Sequence, residues 1–272
     1  MAVPDPVTRL RQTLGDHDRV VVAFSGGVDS GLLAYVATET LGAARVLCAT
    51  AVSPSLAAAE RDACRDLAAD WGLRWQEVTT EEMARAAYRV NDGDRCFWCK
   101  DALMDALTPL ADEAEATVLL GVNVDDLGDH RPGQEAARQR GARFPLVEAG
   151  LTKEDVRTAA RDLGLAVWDK PAAPCLASRV PYGTEVSVGV LGQVERAEAG
   201  LRALGLADLR VRHYDDLARI EVPVGDLAAV LDRRPEVVAV VRAAGYRYVT
   251  LDLEGLRSGN LNGALGLGRE DG

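Results

Sequence analysis

The sequence predicts an α/β protein: a doubly wound parallel sheet followed by a smaller α+β domain. Three observations carry that expectation. A run of β-branched residues, Val20 to Phe24, stops at Ser25-Gly26-Gly27 and gives way to the apolar-periodic Gly31-Leu32-Leu33-Ala34-Tyr35-Val36-Ala37, which reads strand, tight loop, helix. Further short apolar runs at 45–52, 73–79 and 117–121 alternate with helical patterns, as parallel strands with right-handed crossovers require. Finally, Lys170 to Gly183 carries three prolines and no periodicity, and the pattern beyond it differs.

Taken in order, Pro4 to Gly15 is a short amphipathic helix with Val7, Leu10 and Leu14 on one stripe, expected on the sheet edge. The first strand and its glycine-rich turn follow. Arg45 to Val52 is the second strand, and Ser53-Pro54 reads as N-cap and first turn of a helix running to about Trp71. Cys64, Leu67, Ala68 and Trp71 share a face of that helix, so Cys64 reads as a small buried apolar residue, and so does Cys48 inside its strand. Strands at 73–79 and 117–121 bracket a helical region from Glu81 to Ala116. A helix from about Thr152, with Val156, Ala159, Ala160 and Leu163 inward, closes the first domain. Beyond the proline-rich segment come an amphipathic helix over 186–204, with Val190, Val194, Ala197, Leu201 and Leu204 inward, and two alternating strands joined at Asp215-Asp216. A helix over 225–243 and a strand over 246–253 complete the small domain, with a loose tail from Glu254. The expected division is residues 1–170, a linker 171–185 carrying Cys175, and 186–272.

Composition narrows the function. Of the 272 residues, 48% are hydrophobic and 27% charged, as in a soluble globular chain. No apolar run is long enough to cross a bilayer, and Met1 to Pro6 lacks the blocks of a signal peptide, so no membrane partner and a cytoplasmic location are expected. A net charge of −11 argues against a protein that grips long nucleic acid by its phosphates. Five cysteines, Cys48, Cys64, Cys96, Cys99 and Cys175, point to thiol or metal chemistry more than to a disulfide framework.

The strand–loop–helix at 20–37 is a phosphate cradle in the making, because glycines allow close approach and the loop N–H groups face the anion with the helix dipole behind them. Neither Gly-Lys-Ser/Thr nor Gly-x-Gly-x-x-Gly is present there. Ser25-Gly26-Gly27-Val28-Asp29-Ser30 instead resembles the loop of the PP-loop ATP pyrophosphatases, which cleave ATP between the α and β phosphates. That resemblance implies that Ser25, Gly26, Gly27 and Ser30 hold the pyrophosphate half of ATP and that Asp29 helps organise Mg²⁺. The loop after the fourth strand, Gly121 to Gly133, gathers acidic residues with His130 and Arg131 and is expected beside the cradle; His130 itself reads as a surface residue. Cys96-Phe97-Trp98-Cys99 is a Cys-x-x-Cys pair that suits a redox, zinc or iron–sulfur role. With Cys175 it offers three thiolates, and three on a four-iron cluster leave one iron open for an extra sulfide.

In combination, the Ser-Gly-Gly-Val-Asp-Ser loop, Asp129 to Gly133, Pro174 to Gly183, Arg210-Val211-Arg212 and Gly245 to Leu253 resemble the LarE family, ATP-dependent sulfur transferases of nickel-pincer cofactor synthesis, from Arg19 to Ser258. The resemblance implies adenylation of a carboxylate of pyridinium-3,5-biscarboxylic acid mononucleotide, then displacement of AMP by sulfur to give a thiocarboxylate. It implies either that Cys175 is a sacrificial sulfur donor or that Cys96, Cys99 and Cys175 ligate a 4Fe-4S cluster; the Cys96–Cys99 pair favours the cluster. It also implies that Glu198, Arg210, Arg212 and Asp232 line an anion- and metal-binding site where subunits of a homo-oligomer, a hexamer, meet, and that Arg131 and Arg179 contact nucleotide or substrate phosphate. On residue types, Arg210 and Arg212 on one strand face suit either a phosphate fork or salt bridging. Competing readings are a tRNA 2-thiolation enzyme, an amide-forming PP-loop ligase, and a nucleotide-binding regulator or sulfur carrier without activity.

Overall fold

The computed structural model describes residues 4–127 and 132–257. The chain divides into two compact units: the residues up to Glu82 with Cys96–Ala173, and Met83–Arg95 with the residues from Pro174 onward. The second unit thus includes a thirteen-residue stretch from the middle of the first unit's sequence. Periodicity along the chain does not reveal that exchange.

The first unit is built on strands β1 (Val20–Ala23), β2 (Val46–Val52), β3 (Trp75–Thr79) and β4 (Thr117–Leu120), all parallel, in the order β3-β2-β1-β4. The order reverses at β1, so the crevice at the carboxyl ends of β1 and β4 is the topological switch point where ligands bind in such sheets. Both faces are covered, and side chains alternate accordingly. Val20, Val22, Cys48 and Leu119 face a core shared with α1 (Pro6–Gly15), α2 (Val28–Leu41), α3 (Ala58–Asp70), α7 (Pro145–Glu148) and α8 (Lys153–Asp162). Val21, Ala49, Val118 and Leu120 face the opposite core, which holds Leu103, Met104 and Leu107 of α5 (Arg95–Glu113) and Ala137 of α6 (Pro132–Gln139).

Local chemistry sets the helix boundaries. Asp5 caps α1, accepting from the Thr8 N–H at 3.0 Å, with Pro6 in the first turn. Leu10 and Leu14 are fully buried, but α1 packs against α2 and α8, which already cover the sheet face, and not on the sheet edge. Residues Leu32 to Ala34, Val36 and Ala37 leave α2 apolar on most sides, as a helix pressed between sheet and outer helices must be. Thr152 and Asp155 form a reciprocal capping box that opens α8.

Several boundaries differ from expectation. Helix α3 begins at Ala58, because the Ser53 hydroxyl donates to Glu82 and accepts from the Ser55 N–H, which makes Ser53 a turn residue and not a helix cap. The region 81–116 is not continuous: a 3₁₀ turn at Glu82–Ala84 and α4 (Ala86–Arg89) precede Asn91, whose φ of +60° ends the helix before α5 starts.

The second unit has a three-stranded sheet, β5 (Arg210–Tyr214), β6 (Leu217–Glu221) and β7 (Tyr248–Leu251), in that order. The first pair is antiparallel about the two-residue turn Asp215-Asp216, and the second is parallel. Its core joins Ala197 and Leu201 of α9 (Val188–Ala203) to Val211, Ile220, Tyr246 and to Val237 and Val241 of α11 (Arg234–Ala243). Leu191, not Val190, completes the buried stripe of α9. The expected helix over 225–243 is split into a 3₁₀ turn, α10 (Leu227–Asp232) and α11, since Pro235 fits only the first turn of a new helix. Asn91 and Arg89 receive the N–H groups of Gly183 and Val186 through their carbonyls, which stitches the 83–95 stretch to this unit. Most of the expected tail lies outside the described residues. Among the described residues no helix is long and apolar enough to cross a membrane.

Candidate active site

At the carboxyl end of β1 the chain turns through Ser25, Gly26 and Gly27 into α2. Gly26 has a φ of +67°, and a Cβ there would lie 2.9 Å from the buried Sγ of Cys64, so glycine is required on both counts. The loop is braced internally: Ser30 Oγ accepts from the Ser25 N–H at 3.1 Å, lies 3.0 Å from Ser25 Oγ, and donates to the Gly27 carbonyl at 3.2 Å. Gly27 is the N-cap of α2 and carries no capping side chain. The first intrahelical bond is Gly31 N–H to Gly27 C=O, at 2.8 Å, so the N–H groups of Val28, Asp29 and Ser30 have no intrahelical acceptor. Such a helix start carries about half a positive charge and suits a phosphate.

The loop after β4 lies beside this cradle, as expected. A Cβ on Gly121 would come within 2.7 Å of the Ser30 nitrogen and 2.9 Å of the Asp29 carbonyl carbon, so backbone touches backbone there. Asn123, 1% exposed, accepts from the Asp125 and Asp126 N–H groups through its Oδ1 and donates through Nδ2 to Asp29 Oδ1 at 2.9 Å. At its far end a Cβ on Gly133 would meet the carbonyl oxygen of Cys96 at 2.7 Å. One loop therefore contacts the phosphate cradle at its start and the first turn of the Cys-x-x-Cys helix at its end. His130 and Arg131 lie outside the described residues.

Two lysines complete the cradle, and sequence reasoning assigned neither to the site. Lys153, at the first position of α8, places Nζ 2.5 Å from Asp29 Oδ2. Its own N–H donates to Asp125 at 2.7 Å. Lys170 donates to the Gly26 carbonyl at 3.1 Å and pairs with Glu60 at 2.8 Å. Neither pairing is visible along the sequence, because more than a hundred residues separate the partners. Asp29 carries one carboxylate at the mouth of the cradle, which is the donor set Mg²⁺ uses when phosphate oxygens and water supply its remaining ligands.

In the second unit, Cys175 is the N-cap of a short 3₁₀ turn, Leu176–Arg179, and is partly exposed. Arg179, 5% exposed, forms a two-pronged pair with Glu198, Nε to Oε1 at 2.8 Å and Nη2 to Oε2 at 3.2 Å. Its remaining donor group reaches the carbonyls of Pro174 and Cys175 and the hydroxyl of Ser178. Glu198, 1% exposed, also accepts from Arg202 at 2.9 Å and from the Val211 N–H at 3.0 Å. Arg212 is buried against Glu221, with Nε to Oε2 at 2.9 Å, and donates to the Ser178 carbonyl at 2.7 Å. Arg210, half-buried, donates to the Arg257 carbonyl at 3.2 Å. Burial, then the neighbouring charges of Arg212 and Arg179, lowers its pKa from the ordinary arginine value. Asp232 ends α10 in an exposed position.

No disulfide joins any of the five cysteines. Cys48 and Cys64 are buried, as expected for core residues, and burial pushes the Cys48 thiol up to about 12 and raises that of Cys64. Cys96 is exposed and Cys99 partly so, one helical turn apart on α5, in the first unit; Cys175 belongs to the second. No group of three or more His, Cys, Asp or Glu side chains that could hold a metal ion is assembled among the described residues.

Comparison with known proteins gives three relatives and one family match. Residues 7–96 match the NAD synthase family. The chain is 46% identical to an uncharacterized protein of Synechocystis over 259 residues, covering 94% of this chain and 96% of the relative. It is 39% identical over 256 residues to the pyridinium-3,5-bisthiocarboxylic acid mononucleotide synthase of Lactiplantibacillus plantarum, covering 93% of this chain and 92% of that protein. An uncharacterized protein of Methanocaldococcus jannaschii is 27% identical over 243 residues, covering 89% and 92%.

Proposed function

Since the chain belongs to the LarE family, that of the pyridinium-3,5-bisthiocarboxylic acid mononucleotide synthases, and is an ATP-using sulfurtransferase of nickel-pincer cofactor synthesis, we propose the following substrate, cofactors and division of labour for it. The substrate is pyridinium-3,5-biscarboxylic acid mononucleotide. A carboxylate oxygen attacks the α-phosphorus of ATP, the bond from that phosphorus to the bridging oxygen breaks, and pyrophosphate leaves with the electron pair. A sulfur nucleophile then adds to the acyl carbon, and AMP leaves with the original carboxylate oxygen, giving a thiocarboxylate. Adenylation is needed because a carboxylate resists nucleophiles until one oxygen becomes a good leaving group.

The observation that carries this reading is the open helix start at Val28 to Ser30, braced by Ser25 and Ser30 at the switch point of the sheet. The N–H groups there stabilise charge on the departing pyrophosphate, and Lys153 supplies a cation 2.5 Å from Asp29 that can share in it. Asp29 holds Mg²⁺ together with the phosphates. We further assign Arg210 to an anion of the substrate, with Arg179 and Arg212 as its buried supports. Glu198 and Asp232 remain assigned to a metal on the family resemblance, as does Arg131 to phosphate, and assembly as a homo-oligomer has the same basis.

For sulfur delivery we assign Cys96, Cys99 and Cys175 as ligands of a 4Fe-4S cluster. The donor type fits, since all three are cysteines outside any disulfide and none is buried. When bound, a cluster with three thiolate ligands offers one open iron that can hold a removable sulfide. The test is iron and acid-labile sulfide per chain, with an absorption spectrum, on protein purified and reconstituted without oxygen. About four irons per chain, lost in Cys96→Ala, Cys99→Ala or Cys175→Ala, is the expected result. Undiminished sulfur transfer by iron-free Cys96→Ala protein would overturn the cluster assignment and return Cys175 to the role of sacrificial donor.

A further inference from the structure

The segment carrying Cys175 is irregular yet inward. Leu176, Ala177, Arg179 and Val180 are each at most 5% exposed, although only one 3₁₀ turn orders them. Buried backbone carbonyls outside regular structure need donors. Here backbone N–H groups supply some of those donors, but most are side chains, and two of the side chains come from the stretch that the second unit takes from the middle of the first unit's sequence.

Asn91 is one. It is 0% exposed, and its left-handed backbone turns its amide group onto the segment. Nδ2 donates to the carbonyls of Pro181 at 2.8 Å, Thr184 at 2.9 Å and Val180 at 3.3 Å, while its own carbonyl accepts from the Gly183 N–H at 3.1 Å. Arg95 is the other. Its Nη1 donates to Asn91 Oδ1 at 2.5 Å and to the Ala177 carbonyl at 2.9 Å, and its guanidinium carbon stands 5.5 Å from the Tyr182 ring centre. The Ala177 carbonyl belongs to the turn whose N-cap is Cys175, and the Ser178 N–H bonds back to the Cys175 carbonyl at 2.9 Å. Arg95 is also the residue that precedes Cys96.

We propose that Asn91 and Arg95 are positioning residues of the sulfur-transfer step. They fix the backbone of the Cys175 turn, and they spend a buried cation and a strained asparagine on that task where an apolar plug would suffice for stability alone. Adenylation, whose cradle is built from first-unit residues, does not depend on them. The inference rests on the role of Cys175 in sulfur chemistry proposed above.

The test separates the two half-reactions. In Asn91→Ala and Arg95→Met, pyrophosphate release with ATP and the biscarboxylate is expected to stay within about twofold of the unaltered protein. Thiocarboxylate formation is expected to fall at least tenfold, with partial recovery in Arg95→Lys. Equal loss of both steps, or loss of neither, overturns the proposal. A second measurement stands apart from the enzymatic reading: alkylation of Cys175 by iodoacetamide in the resting protein, read by peptide mass spectrometry against exposed Cys96. A severalfold change in Cys175 labelling in both variants is expected. Unchanged labelling overturns the positioning role even if the sulfur-transfer reading holds. Thiocarboxylate formation that is nil in the unaltered protein, with the labelling change present, sinks that reading and leaves the clamp on Cys175 standing.

Discussion

Replacing Gly26 with Ala tests the cradle at the point where its geometry is most demanding. The structure separates the cost into two parts. A non-glycine residue held at a φ of +67° costs about 1–2 kcal/mol in backbone strain. The added methyl, 2.9 Å from Cys64 Sγ, costs a further ~1–3 kcal/mol of overpacking against a fully buried side chain. Reduced freedom of the unfolded chain returns about 0.4–1 kcal/mol. The net expectation is a loss of about 1–5 kcal/mol in the first unit, with pyrophosphate release falling as the loop N–H groups shift. Only the second part can be relieved from outside. In Gly26→Ala/Cys64→Ala the overpacking disappears, so the double variant should recover about 1–3 kcal/mol relative to the sum of the singles. Gly121→Ala is the control, because its new Cβ would meet the backbone of Asp29 and Ser30, and Cys64→Ala should leave its cost unchanged within about 0.5 kcal/mol. Urea unfolding followed by tryptophan fluorescence reads the first unit directly, since Trp71, Trp75, Trp98 and Trp168 all belong to it. Additive behaviour of Gly26→Ala and Cys64→Ala would refute the contact, and a Gly26→Ala cost below about 0.5 kcal/mol would refute the strain.

Lys153→Met should lower the rate of pyrophosphate release by about 10²–10³-fold while ATP binding, measured by calorimetry, changes less, because the ammonium acts on charge that develops at the leaving group. Glu198→Ala should cost about 3–5 kcal/mol in thermal unfolding of the second unit, since Arg179 is left as a buried cation without its carboxylate; Glu198→Gln should cost less. His213 is buried beside the Tyr246 hydroxyl, and burial lowers its pKa below the ordinary histidine value of about 6.5. Its neutral form favours folding, so its contribution is full above about pH 6.5, is lost as the pH falls from there to the lower folded-state value, and then levels off. Urea midpoints of the unaltered protein should therefore drop more between pH 8 and pH 5.5 than those of His213→Gln, and equal drops would count against it.

Much of the first unit was legible because its signals are local. The β-branched runs fixed the strands, the Ser-Gly-Gly pattern located the cradle, and Thr152 announced the capping box of α8. The failures share a different cause. Ser53 looked like a helix cap because a serine before a proline usually is one, but Glu82, twenty-nine residues on, takes its hydroxyl. The stretch 83–95 reads along the sequence as part of a helical region, Glu81 to Ala116, of the first unit. Asn91 breaks that region, and the bonds that justify the break end near residue 180. The partners of Arg179 are equally distant from its sequence neighbourhood or hidden in the backbone: its donors are engaged by Glu198 and by the carbonyls of Pro174 and Cys175. Lys153 and Lys170 stood in plain view as surface-type residues, and only the folded chain reveals that both ammonium groups reach the glycine-rich loop.

The arrangement of the arginines bears on which kind of substrate the second unit suits. A long nucleic acid presents one charge about every 1.7 Å along the duplex and is held by exposed cations that release its counterions. This chain has a net charge of −11, and its clustered arginines point the other way. Arg179 and Arg212 are no more than 5% exposed and are matched to Glu198 and Glu221, while Arg219 shares the same Glu221. Cations spent on buried carboxylates and carbonyls cannot track a polyanion. They can, however, hold a half-buried neighbour such as Arg210 in a fixed orientation, and one oriented guanidinium is what a single phosphate requires. Recessed, paired arginines on an acidic protein therefore favour a mononucleotide over a tRNA, and they do so through the placement of charge as well as its total.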